Sequence, residues 1–227
     1  MRRLDSRLAL RLASRLTLMV SVFILLGAAG SHSAGKPDGE QIVAAMKANY
    51  NAVSDYRVNV SLSIKGPRIN IKDMAIKVYY KKPDKLHIEA KEGFAMVPQG
   101  SFFGNPLDEL TRNTTPVYVK SERKQGRPCD VIKLLPKESN SKAPVMLIWV
   151  DTERHVLVET KAQGDTELSS TWRHAKVGGK YYLPSQITIH MGGPKQPDSC
   201  VDATMKFSSY VVNKGISDKV FTADKKG

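Results

Sequence analysis

The chain has 227 residues, with 35 Lys+Arg against 22 Asp+Glu, a formal net charge of +13, 41% apolar residues, 7% aromatic residues and two cysteines. This composition fits one globular domain. It is too apolar for a disordered chain, too poor in Cys for a disulfide-dense miniprotein, and offers only one apolar run near membrane length, which excludes a multi-span membrane protein.

That run lies at the N-terminus. Arg2, Arg3, Arg7, Arg11 and Arg15 precede an uncharged apolar core over residues 16–29 and then Gly30-Ser31-His32-Ser33-Ala34, the order of an export signal. The four-residue spacing of Arg3 to Arg15 also suits an amphipathic transit peptide, but the uncharged core after Arg15 favours secretion. Residues 1–33 are therefore expected to be a signal peptide and 34–227 a single domain. No Cys follows the apolar core, so the thiol needed for lipidation is missing and the expected location is the periplasm, in soluble form. Without residues 1–33 the chain keeps 30 Lys+Arg and 21 Asp+Glu, a net charge of +9. The surplus suits anionic headgroups, whereas export argues against nucleic acid as a partner. Two cysteines in an exported chain predict a Cys129–Cys200 disulfide, which on the chain-entropy model would stabilise the fold by about 4 kcal/mol.

One helix opens the domain. Asp38 is the expected cap, Gln41 stands where a capping box needs it, and Ile42, Val43, Ala45, Met46, Tyr50 and Val53 form an apolar stripe ending near Ser54. The period then becomes two: Tyr56, Val58, Val60, Leu62 and Ile64 alternate with polar residues up to a Gly66-Pro67 turn. Ile69 and Ile71, then Met74, Ile76, Val78 and Tyr80, change parity and predict a bulge near Lys72-Asp73. After Pro83, Leu86, Ile88 and Ala90 resume the alternation. A looser stretch with Phe94, Met96, Phe102 and Phe103 leads to a short helix from Pro106, with Asn105 as its cap. Strands are expected over residues 117–124, 129–135, 145–150, 155–161, 166–177, 181–191 and 201–212, joined by Gln125-Gly126, Asp151-Thr152, Gly164-Asp165 and Gly178-Gly179. Residues 145–150 are apolar on both faces and should be covered on both. About ten strands with one substantial helix give a mainly β, α+β fold: a strongly curved antiparallel sheet, either a closed barrel or an open half-barrel with helices over its concave face.

Catalytic equipment is sparse. His87, His155, His174 and His190 show no metal-ligand spacing, and no GxSxG elbow, P-loop or GxGxxG occurs. The carboxylates fall mostly at turns, where Asp is favoured by the backbone. No catalytic residue, metal or cofactor is expected. An enzyme would need His174 or His190 beside a carboxylate in a cleft. The remaining feature is a large apolar concavity, for which the expected ligand-contacting side chains are Val58, Val60, Leu62, Met74, Ile76, Val78, Leu86, Ile88, Met205 and Phe207. Phe94 and Met96 would come from the covering segment.

The order of several short pieces resembles the periplasmic lipoprotein carrier family of the LolA type, with its LolB and RseB relatives. They are Val53-Ser54-Asp55-Tyr56, the run from Val78-Tyr79-Tyr80 through Lys82-Pro83 to Leu86, Asn105-Pro106-Leu107, Val131 to Lys137, Ile148-Trp149-Val150-Asp151, and Val220-Phe221-Thr222, the last similar to the family's final strand. The resemblance spans about residues 38 to 224. It implies an unclosed antiparallel barrel lidded by helices, which shields the acyl chains of lipoproteins or other lipids and passes them between inner- and outer-membrane partners, as a monomer. It also implies a lid and transfer role for Lys82 and Pro83; Lys82 stands where the carrier has Arg, and it lacks the planar fork of a guanidinium. The alternative is an RseB-like regulatory or sensory module of the envelope.

Overall fold

The computed structural model describes residues 37–90, 103–104, 106–138, 143–163, 167–192 and 200–222. The expected signal peptide, Phe94, Met96, the Asn105 cap and the Gly164-Asp165 turn lie outside them. Helix α1 spans Gly39–Asn51. Strands β1 (Asp55–Gly66), β2 (Ile69–Lys81) and β3 (Lys85–Ala90) precede α2 (Pro106–Thr111). Then come β4 (Thr114–Lys124), β5 (Arg127–Pro136), β6 (Val145–Asp151), β7 (Leu157–Gln163), β8 (Glu167–Val177), β9 (Tyr181–Gly192), β10 (Val201–Val212) and a 3₁₀ turn over Asp218–Phe221.

The ten strands form one antiparallel sheet in the order β3-β2-β1-β10-β9-β8-β7-β6-β5-β4. Consecutive strands pair throughout, except that β1 pairs with β10 and β3 does not pair with β4. The result is an unclosed half-barrel, open between β3 and β4. One apolar core lies on the concave face and joins Val58, Val60 and Val78 of β1 and β2 to Ile132 and Leu134 of β5. β1 and β2 lie six and seven spacings from β5, about 29 and 34 Å in a flat sheet, and α1 packs against both β4 and β9.

Local chemistry sets the turns and irregularities. Ser63 of β1 faces both Lys72 and Asp73, the bulge that the parity change predicts. Asp73 takes φ 48°, its N–H donates to Ser63 Oγ at 3.1 Å, and its carboxylate accepts from the Ser61 and Ser63 hydroxyls. Gln125-Gly126, the two-residue loop between paired Lys124 and Arg127, and Gly178-Gly179, in the three-residue loop between paired Val177 and Tyr181, all have positive φ, as such tight hairpins require. Asn213, at φ 53°, accepts from the backbone N–H of Ser54 and Asp55 and donates to Ala52 O and the Tyr181 hydroxyl, fixing the passage from α1 into β1. β6 is covered on both faces: Ile148 and Val150 enter the main core, and Trp149 joins Cys129, Val131 and Val158 in a second cluster outside.

Four expectations need correction. Cys129 and Cys200 are not bonded: Cys129 is buried in the outer cluster on β5, Cys200 precedes β10, and five strand spacings, about 24 Å along the sheet, separate them. Val220-Phe221-Thr222 is not a strand, because Ser217 caps a 3₁₀ turn and Asp218 is drawn to Lys81 at 2.7 Å and Lys85 at 2.9 Å. The seventh strand begins at Leu157 rather than His155, since the Asp151 carboxylate accepts from the Glu153 and Arg154 N–H groups and His155 takes φ 50°. Helix α1 stops at Asn51 rather than near Ser54; Val53 N–H closes back on Tyr50 O.

The approach of α1 to edge strand β4 leaves no room for a side chain at its first residue. A Cβ at Gly39 would lie 2.7 Å from Pro116 O and 2.9 Å from Tyr118 N. Gly39→Val should therefore push α1 off β4 and destabilise the fold by about 1–3 kcal/mol, read as a lowered Tm in thermal unfolding.

Candidate functional site: an apolar hollow under a short helix

The concave face has two unlike ends. At the β2-β1-β10 end Val58, Val60, Leu62, Ile76, Val78 and Met205 are buried, and Met74, Leu86, Ile88 and Phe207 pack against them half-buried. Phe103, at 1% exposure, fills space over these strands, its ring 6.4 Å from that of Phe207, and Leu107 of α2, at 0%, is buried in the same core. Aromatic rings complete the plug: Tyr56 lies 5.4 Å from Tyr80 and 5.9 Å from Tyr210, and Phe207 stacks on Tyr210. The Tyr56 hydroxyl donates to Phe103 O, and that of Tyr210 to Pro184 O at 2.9 Å. In this state the side chains expected to hold a ligand hold one another.

The other end keeps an empty space of about 160 Å³. Its roof is α2, through Pro106, Glu109 and Leu110; its walls are Met146 of β6, Leu157 of β7, Leu168 and Trp172 of β8, and Ile189 of β9. The floor is polar but satisfied: Thr160 Oγ1 and Ser170 Oγ are 2.8 Å apart, and Trp172 Nε1 donates to Ser170 Oγ at 2.7 Å. An apolar occupant would thus meet no unpaired buried dipole there. These wall residues were legible as inward-facing positions of their strands; that they, rather than β1–β3, border empty space depends on where α2 and Phe103 come to rest.

Few bonds hold the cover. The six-residue α2 is tied to α1 by a half-exposed Lys47–Asp108 pair at 3.4 Å, worth at most about 1 kcal/mol, and is anchored inward by Leu107. Lys82 Nζ donates to Asn51 O at the end of α1, placing a cation at the negative end of the helix dipole. The Lys82–Pro83 peptide is cis, and Tyr80 donates to Pro83 O at 3.1 Å. These residues fasten α1 to the β2–β3 turn.

The inner end of α1 is held by a part-buried hydrogen bond between the Tyr50 hydroxyl and His174 Nε2 on β8 at 2.7 Å. Burial pushes the Tyr50 hydroxyl up, so it stays protonated. The His174 imidazole is pushed down to about 4, chiefly by burial. Its neighbour is a tyrosine rather than a carboxylate, and the ring stacks on Trp172. His190 does meet a carboxylate, that of Asp202 at 2.7 Å, but on the exposed outer face. Because folded His174 binds its proton more weakly than the unfolded residue, with its ordinary value of about 6.5, stability is full above that pH and falls between about pH 6.5 and 4. The loss attributable to this group is about 3 kcal/mol at the acid end. Denaturant unfolding against pH should show this slope in the parent chain and a flatter one in His174→Gln.

No protein-family model matches the sequence, and no curated protein sequence matches it. Solved structures do match. The LolA superfamily protein NE2245 from Nitrosomonas europaea superposes with a TM-score of 0.57 at 12% identity, over 83% of this chain and 99% of its own. A DUF1329 family protein from Desulfovibrio piger gives 0.57 at 12% identity, over 82% and 98%. A protein domain of Vibrio parahaemolyticus named for outer membrane lipoprotein sorting gives 0.56 at 14% identity, over 81% and 95%. The ten-stranded open sheet with its concave face under helices is thus the LolA-type fold, reached here by a sequence far from each of these three.

Proposed function

We propose that residues 34–227 bind the acyl chains of lipoproteins or other lipids on the concave face and shield them from water in the periplasm, for transfer toward the outer membrane. The observation that carries this reading is the apolar hollow between α2 and strands β6–β9, with its satisfied polar floor. The shared fold and the export-type N-terminus support it. No helix among the described residues is long and apolar enough to cross a membrane.

The size of the hollow dictates the mechanism. About 160 Å³ is below the roughly 300–1,000 Å³ usual for ligand sites, so a whole acyl chain enters only as the cover yields. The principal anchors of the cover are Phe103 and Leu107. Exposing two such side chains costs about 3–6 kcal/mol, and each methylene removed from water contributes about 0.8 kcal/mol. A chain of about eight methylenes therefore offsets the displacement, and longer chains bind with net gain. Refilling by Phe103 and Leu107 then assists release, because the emptied site has its own apolar occupants. Transfer partners on the two membranes complete the cycle.

The two tryptophans make the test specific, since Trp172 borders the hollow and Trp149 lies in the outer cluster. A fatty acid brominated along its chain should quench Trp172 fluorescence in Trp149→Phe and leave Trp149 unquenched in Trp172→Phe. Absence of quenching in the first variant, together with no lipid in native mass spectra of the protein purified from the periplasm, would sink the reading. Leu168→Trp should fill the hollow and weaken acyl-chain binding about tenfold or more while the Tm stays near that of the parent.

A further inference from the structure

A second group of reactive side chains meets on the opposite side of the sheet. Strand register brings it together: His190 of β9 pairs across from Asp202 of β10, Met191 pairs with Val201, and the next position sets Gly192 beside Cys200. Ile189 is in the core, so by alternation His190 and Gly192, with Asp202 and Cys200 across from them, belong to the outer face.

The imidazole has the carboxylate on one side and the thiol in its neighbourhood. Nδ1 lies 2.7 Å from Asp202 Oδ1; a carboxylate can only accept, so Nδ1 carries the proton of this bond, and in the neutral ring Nε2 is the nitrogen that can accept. The thiol is on the Nε2 side. The point that a Cβ at residue 192 would occupy is 2.7 Å from Cys200 Sγ and 3.4 Å from His190 Nε2. Any larger residue at Gly192 would take the space through which the two approach. Cys200 is unbonded and half-buried, whereas Cys129 is buried on β5 and burial pushes its thiol up.

We propose that Cys200 is a reactive thiol, deprotonated by His190 and poised by Asp202, that exchanges with small disulfides to form mixed disulfides. The proton passes from Cys200 Sγ to His190 Nε2. The thiolate attacks one sulfur of the disulfide, a new S–S bond forms as the old one breaks, and the departing thiolate takes the proton from Nε2. One disulfide is consumed; one mixed disulfide and one thiol are formed. His190 acts on the reacting atom, and Asp202 is a positioning residue. The site uses no residue of the acyl-chain hollow, so either assignment stands without the other.

The experiment is stopped-flow reaction of the reduced, folded chain with 4,4′-dithiodipyridine across pH 5 to 9. A fast phase that Cys200→Ser removes is expected, at least about tenfold faster at neutral pH than the thiols of the same chain in urea. Its rate should depend on pH through the imidazole, so that His190→Gln both slows it and changes the shape of the pH profile. Asp202→Asn should slow it less. The other charged groups facing the imidazole are Glu167, whose Oε2 is 3.9 Å from Nε2, and Lys65, paired across from Asp202. The proposal is overturned if His190→Gln leaves rate and pH profile unchanged, if Glu167→Gln rather than His190→Gln abolishes the profile, or if Cys200 in the folded parent reacts no faster than in urea. The last comparison needs no variant to fold.

Discussion

A sheet that curls without closing must bury its inner face under something other than itself, and most of this structure follows from that constraint. Full closure would pair β3 with β4 and remove both edges, at the cost of any lateral way in. Here the two strands remain apart, and α1 covers apolar surface that a closed barrel would seal by its own curvature. Gly39 lets the helix backbone rest directly against β4. At its other end, Tyr50 and Lys82 fasten α1 to β8 and to the β2–β3 turn. The cover therefore has firm ends, while its second part, α2, depends on the burial of a few side chains.

The filled and vacant ends of the concave face differ in what supplies their apolar contacts. Around β1 and β2 the chain provides its own occupants, Phe103 together with the Tyr56, Tyr80 and Tyr210 rings. Around β6 to β9 no comparable side chain descends from α2, and Leu110 and Pro106 only roof the space. On the proposed reading, a tightly packed interior and a binding site are two states of one surface. Which state prevails is decided by the apolar area offered from outside against that of two buried side chains.

Sheet architecture was legible in the sequence because each strand carries its own period-two record. The parity change between Ile71 and Met74 placed a bulge near Lys72-Asp73, where it lies, and the doubly apolar run from Val145 called for cover on both faces, which the outer cluster supplies on one. Local chemistry that competes with the strand was harder to read: the Asp151 carboxylate capturing two N–H groups delays β7, and Lys81 and Lys85 recruit Asp218 into a 3₁₀ turn. Tertiary placement was not legible at all. Alternation marks Val60 and Leu168 alike as inward-facing, and only the resting place of Phe103 and α2 makes the first a core residue and the second a wall of the hollow. The cysteines misled for the same reason, since an even count carries no information about the four strands between β5 and β10.

Enlarging the hollow requires one of its walls to move, and the hydrogen bonding decides which. Strands β6 to β9 are each paired on both sides, so displacing any of them breaks two ladders whose bonds contribute about 0.5–1.5 kcal/mol apiece. β9 also carries His190 on its outer face, held to Asp202 across the β9–β10 pairing, which sets a further cost on moving Ile189 beside it. Among the described residues, the six-residue helix α2 meets α1 through a half-exposed ion pair and buries Leu107 fully. On the proposed reading it is the compliant wall, so that the interior enlarges by several methylenes' volume while the sheet register, and whatever chemistry the outer face carries, stay unchanged.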